Sequence, residues 1–206
     1  MRWLWVMVML VPAYSSWGAG LFGMIEVATN NPDSIPKWID VEARTQRENL
    51  LGRCEAGQCT SRSEQRWYDM LREVKGEGAF NQLVLVNRWA NRYPYLTDGR
   101  LWGRSDYWET PREFVDKSGD CEDYALVKYY TLRMLGWPDS ALRLVVVRDT
   151  VRDEPHAILA VKYHDTNYIL DNLSTEPLQD KYVTQYNPYY AVNATRRWVF
   201  IKPMGQ

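Results

Sequence analysis

The chain carries almost no net charge, few cysteines and histidines, and no long apolar run. Its 25 basic and 26 acidic residues leave a formal charge of −1. Nothing therefore points to nucleic acid or an anionic membrane surface as a partner. There is no internal repeat and no low-complexity tract. At 206 residues the chain is long enough for one domain with a real core. The apolar run at residues 3–13 is too short to span a bilayer. Arg2 precedes it and a small-residue stretch ending near Ala19 follows. That pattern reads as a secretory signal peptide over residues 1–19, leaving 20–206 as a single domain. A retained membrane anchor is the alternative.

Cysteine usage fits export. Cys54 and Cys59 flank Glu-Ala-Gly-Gln, a loop that could close a small disulfide or carry two free surface thiols. The spacing is not C-x-x-C, so a redox or zinc motif is not expected. If those two pair, Cys121 is left over, and a leftover thiol in an exported protein is either reactive or deeply buried.

What is present is organised around Cys121. Residues 120–135 have a helical period, with Ala125, Leu126, Tyr129, Leu132 and Leu135 on one face. Gly119 breaks the chain before this helix, and Gly136-Trp137-Pro138 stops it. Cys121 then lies in the first turn, where free N–H groups and the helix dipole favour a thiolate. Two facts oppose this. A lone cysteine in an apolar helix is commonly a small core residue. Asp120, Glu122 and Asp123 also crowd the sulfur, and like charge raises a thiol's pKa.

Upstream, residues 20–40 read as an irregular lead-in. Residues 41–51 are rich in helix formers, and 63–74 and 80–93 carry helical spacing. Residues 98–108 form a loop with Asp98, Asp106 and three aromatics. Thr110-Pro111-Arg112-Glu113 has the signs of a capped helix start. Downstream the period changes to two. Residues 142–147 form a strand apolar enough to be central, and 148–155 a charged connection. Residues 157–163 and 168–173 form a hairpin around a turn at 164–167. The Tyr-rich tail at 185–190 reads as loop, and 197–201 as a strand. The fold class is α+β: helices first, then an antiparallel sheet packed on the Cys121 helix.

A nucleophilic cysteine needs a base, and the base an orienter. Of the two histidines, His156 opens a strand and can reach a cleft, whereas His164 falls in the hairpin turn. Asp171 shares a face with His156 if Lys162 opposes Asn167, and a one-residue slip removes it. The Cys121 N–H is one expected oxyanion donor. Trp102 and Asn87 are candidates for the second.

The order helix-Cys, strand-His, next-strand-Asp resembles the papain and transglutaminase core. More closely, Gly119-Asp120-Cys121-Glu122-Asp123-Tyr124-Ala125 resembles bacterial transglutaminase-like cysteine proteinases of the LapG type. So do the stretch from Asp106 to Phe114, Lys128 to Arg133, Pro155-His156-Ala157, Leu170-Asp171-Asn172 and Tyr189 to Asn193. The resemblance implies a periplasmic, calcium-dependent protease with Cys121 as nucleophile, His156 as general base and Asp171 as orienter. It implies calcium on Asp120 and Glu122, with Asp123 a weaker candidate ligand and Asp106 weaker still. It also implies cleavage of the N-terminal region of a large biofilm adhesin after paired alanines. The implied partner is an inner-membrane cyclic-di-GMP receptor that sequesters the enzyme. Amidase or transglutaminase chemistry on the same triad, or a non-catalytic adhesin-binding domain, are the other readings. Bound calcium would cancel the charge that disfavours the thiolate; the plain alternative is that the acids only complement the helix dipole.

Overall fold

The computed structural model describes residues 20–30 and 32–203, so the expected signal peptide lies outside the described residues. Among the described residues, no helix is long and apolar enough to cross a membrane. Strand β1 (Ile25–Thr29) is followed, among the described residues, by seven α-helices: α1 (Pro36–Glu48), α2 (Leu50–Glu55), α3 (Arg62–Lys75), α4 (Ala79–Ala90), α5 (Asp98–Leu101), α6 (Pro111–Lys117) and α7 (Cys121–Met134). Six strands follow: β2 (Leu142–Asp149), β3 (Glu154–Tyr163), β4 (Thr166–Leu170), β5 (Leu178–Gln179), β6 (Tyr186–Val192) and β7 (Arg197–Ile201). They form one antiparallel sheet in the order β1-β7-β6-β2-β3-β4-β5. The fold is α+β, as expected.

β2 lies at the centre of the sheet and is buried on both faces. Leu142 and Leu144 face the helices, with Leu159, Val161 and Val192 beside them. Val145 and Val147 face the other way, under Leu21, Ile158, Val183, Tyr186 and Trp198. A strand covered on both sides needs a continuous apolar run, which is what residues 142–147 offer. α7 packs on the first face. Every residue from Asp123 to Leu132 is buried, Lys128 among them, so this helix is a core element rather than a surface one. Cys54 and Cys59 are bonded, with S–S 1.97 Å, and Cys121 is the free cysteine.

Several sequence expectations need correction. The lead-in is not irregular throughout: β1 pairs with β7, and α1 begins with Pro36 in its first turn, where a missing N–H costs nothing. The tail at 185–190 is not loop. It supplies most of β6, an interior strand. Pro188 misleads because it suits neither helix nor regular ladder. Here it sits where β2–β6 pairing shifts between Val146 and Val147, a bulge that accommodates a proline. The β2–β3 connection is also shorter than expected, because β2 runs to Asp149 and β3 starts at Glu154. The β3–β4 turn is tighter. Tyr163 pairs with Thr166, leaving His164 and Asp165 as the turn, while Lys162 does oppose Asn167.

Candidate active site

The entry into α7 is built from carboxylates that hold backbone. Asp123 Oδ2 accepts the Asp120 N–H at 3.0 Å. Its Oδ1 accepts the Glu109 N–H at 2.8 Å. Gly119 makes room, since a Cβ there would lie 2.4 Å from Asp123 Oδ2. Glu109 precedes Thr110, which caps α6 in the expected box with Glu113. The loop carrying Trp108 and Glu109 is thereby tied to the start of α7.

Cys121 is the first residue of α7 and half-buried. With His156 it lines a groove of about 210 Å³ that also includes Trp108, Glu122, Pro155 and Tyr190. His156 comes from β3, opposite Val147, and is buried. Its Nε2 lies 2.9 Å from Asp171 Oδ1, leaving Nδ1 as the other ring nitrogen. Asp171 sits one residue past the end of β4 rather than within it. Its Oδ1 also accepts the Leu173 N–H at 3.0 Å. Burial pushes the Asp171 carboxyl up, but hydrogen bonds from His156, Tyr186 and Leu173 outweigh that and hold it below the usual carboxylate value. The structure thus brings Cys121, His156 and Asp171 to one site. His164 is exposed in the hairpin turn.

The sulfur is not an isolated thiolate. Cys121 Sγ donates to Glu122 Oε2 at 3.0 Å. Burial pushes the thiol up, Glu122 and Asp120 add to the shift, and a backbone hydrogen bond at Ala157 opposes it. Among the protein groups alone, burial first and the acids after it keep the thiol raised.

Those acids are more numerous than the sequence indicated. Oxygens of Asp98, Asp120 and Asp123 lie within 4.8 Å of one another, and Asp120 and Glu122 form a second such group with Cys121. Asp98 Oδ1, Glu109 Oε2 and Asp120 Oδ1 are buried without a hydrogen-bond partner. Burial and neighbouring carboxylates push Asp120 up to about 8. Glu109, pushed up mainly by burial, also lies at about 8, and Asp98 and Asp123 are raised too, burial again leading. Clustered carboxylate oxygens, some of them buried with no donor, are of the chemical type that a hard divalent cation takes. Asp106 has another role: it pairs with Lys37, which also lines the groove. Both candidates for the second oxyanion donor are spent elsewhere. Trp102 Nε1 donates to Glu109 Oε1 at 2.6 Å, and Asn87 Nδ2 donates to the Ser174 and Thr175 carbonyls.

Sequence reasoning missed Asp98, Glu109 and Tyr186. Asp98 was visible only as one more loop carboxylate. Glu109 lies just before the Thr110 cap, in the stretch from Asp106 to Phe114, where no local pattern marks it. Tyr186 lay in the segment taken for loop.

The model of the bacterial transglutaminase-like cysteine proteinase (BTLCP) family matches residues 53–205. Calcium-bound LapG of Legionella pneumophila superposes with a TM-score of 0.64 at 29% identity, covering 73% of this chain and 87% of that one. A second LapG structure from the same organism gives 0.62 at 30% identity, covering 74% and 86%. An EGTA-treated form gives 0.62 at 30%, covering 74% and 84%. No curated protein sequence matches the chain significantly. The chain belongs to the bacterial transglutaminase-like cysteine proteinase family, and its fold is of the LapG kind.

Proposed function

We propose that this family member is a periplasmic, calcium-dependent endopeptidase that cuts the N-terminal region of a large biofilm adhesin after paired alanines, releasing it from the cell surface. The observation that carries this reading is one groove lined by both Cys121 and His156, with Asp171 bonded to His156 from behind it and a buried acid cluster alongside. The groove is small and walled by Trp108, Pro155 and Tyr190, which suits alanine better than a bulky side chain. The Cys54–Cys59 bond supports an oxidising compartment. Likeness to LapG structures, one of them calcium-bound, supports the metal, and the substrate class rests on the resemblance of the sequence motifs to that family. An inner-membrane cyclic-di-GMP receptor that sequesters the enzyme belongs to the same reading.

In this mechanism the Cys121 sulfur attacks the scissile carbonyl and its proton passes to His156 Nδ1. The backbone N–H of Cys121, one of the unpaired donors at the start of α7, faces the developing oxyanion. His156 gives its proton to the leaving amine, then takes one from the water that hydrolyses the acyl-enzyme. Asp171 keeps the Nε2 proton of His156 in place, so Nδ1 is the nitrogen that works. Asp98, Asp120, Glu122 and Asp123 are the residues that would hold calcium. Bound there, it supplies positive charge that offsets the acids beside the sulfur.

The test is release of the adhesin's N-terminal fragment by purified protein. Wild type with calcium is expected to cut. Cys121→Ala, or wild type with a chelator, is expected not to. Cutting by Cys121→Ala would defeat the reading. Incorporation of a labelled amine in place of water would redirect it to transglutamination.

A further inference from the structure

Asp171 has more to hold than a strand-end residue can manage alone. It lies past the β4 ladder, so no strand pairing fixes its side chain. Its Oδ1 is shared between His156 and the Leu173 N–H. The other oxygen is met by Tyr186, whose hydroxyl donates to Oδ2 at 2.5 Å. Tyr186 is itself well packed. It is 3% exposed, its backbone pairs with Asp149 of β2, and its ring lies 5.6 Å from the His156 ring and 6.3 Å from Phe22. On the other side, Asn91 Nδ2 donates to the Asp171 carbonyl at 2.8 Å, which anchors the backbone.

We propose that Tyr186 is a positioning residue that completes a Cys121–His156–Asp171–Tyr186 chain, fixing the rotation of the Asp171 carboxylate and through it the tautomer of His156. This rests on the protease reading of the site. The physical reason is geometric. A carboxylate held only through Oδ1 can pivot about that atom; a second donor on Oδ2, from a different element, stops the pivot. A buried phenol also needs a partner for its hydroxyl, and burial followed by the Asp171 charge raises its pKa, so it stays a donor. The ring could be there only to fill space between His156 and Phe22. The hydroxyl and the ring can be separated by substitution.

The experiment uses the full chain in calcium-containing buffer. Nitrogen-15 NMR reads which ring nitrogen of His156 carries the proton, with His164 as an internal control. Wild type is expected to show the Nε2-protonated tautomer at His156. Tyr186→Phe, which keeps the ring and loses the donor, is expected to show a mixture, and iodoacetamide should alkylate its Cys121 about tenfold more slowly. Tyr186→Gln, which keeps a donor and loses the ring, is expected to retain the wild-type tautomer. A His156 signal in Tyr186→Phe identical to wild type overturns the proposal. So does a tautomer mixture in Tyr186→Gln equal to that in a donor-free Tyr186→Leu, which decides the matter if Tyr186→Phe fails to fold. Failure of the protease reading looks different: wild-type Cys121 would resist iodoacetamide, whatever residue stands at 186.

Discussion

Two helices in this protein begin on buried carboxylates, and the two sites have opposite electrostatics. Glu64, in the first turn of α3, is fully buried. It receives Arg53 at 3.2 Å, Arg112 at 2.9 Å and both the N–H and the hydroxyl of Thr60. Burial pushes its carboxyl up, but the Thr60 and Arg53 bonds outweigh that and leave it lowered. At the start of α7, Asp98, Glu109, Asp120, Glu122 and Asp123 gather with no ion pair to a basic residue among the described residues. The helix dipole is common to both sites and so cannot be the difference. The difference is the counter-charge: α3 carries its own in arginine, and α7, on the proposed function, would take it from a bound cation.

That contrast can be broken at several points. The largest effect is expected from Cys121→Ala, which should lower cleavage by more than about a thousandfold while leaving thermal unfolding unchanged. Next, Asp120→Asn and Glu122→Gln should each lower cleavage roughly tenfold to a hundredfold. Calorimetry should show wild type gaining about 2.7 kcal/mol at calcium one hundred times its Kd, with the gain shrunk in both variants. Glu64→Gln should cost about 1–3 kcal/mol and change neither the calcium response nor activity per folded molecule. A calcium-dependent cost there would erase the distinction between the two sites.

The pH dependence separates the sites by sign. Groups raised in the folded state, such as Asp120 and Glu109 at about 8, bind extra protons on folding. In chelator their stabilisation should be present at low pH and be lost as pH rises from the ordinary carboxylate range through about 8. Calcium should flatten that loss. Glu64 is lowered, so its contribution is present above the ordinary carboxylate value and is lost as pH falls through its folded value. Urea midpoints across this range, with and without calcium, read both. A last effect, on stability rather than cleavage, involves Lys128, fully buried and pushed down to about 7 by burial, an effect that Asp171 opposes. Its unfolded form binds more protons between about 7 and the ordinary lysine value, so stability should rise over that window. Lys128→Met should remove the rise; a rise that persists would assign it to another group.

Much of this was legible from the sequence. Cys121 at the start of α7, the capped start of α6 and the central β2 all follow from local patterns: a glycine before a 3.6-residue period, a Thr-Pro-x-Glu run, an unbroken apolar strand. The Asp171 face was legible only as a condition: the sequence leaves the hairpin register open, and the structure meets the condition by pairing Lys162 with Asn167. What escaped depends on long-range contact. β1 needs β7, from the far end of the chain, to become a strand. β6 is concealed by Pro188, which only a bulge against β2 tolerates. Asp98 and Asp120 are brought together by the loop between α5 and α6, and no spacing rule reports that. Tyr186 meets Asp171 only once β6 has joined the sheet.

The claim beneath all of this is that a cation in the α7 acid cluster lets Cys121 act as a nucleophile. Mass spectrometry of iodoacetamide labelling at neutral pH measures it directly, because the Cys54–Cys59 bond leaves Cys121 as the free thiol. With calcium, Cys121 is expected to label at least about tenfold faster than in chelator, and Glu122→Gln should shrink the difference. Equal rates with and without calcium would contradict the account.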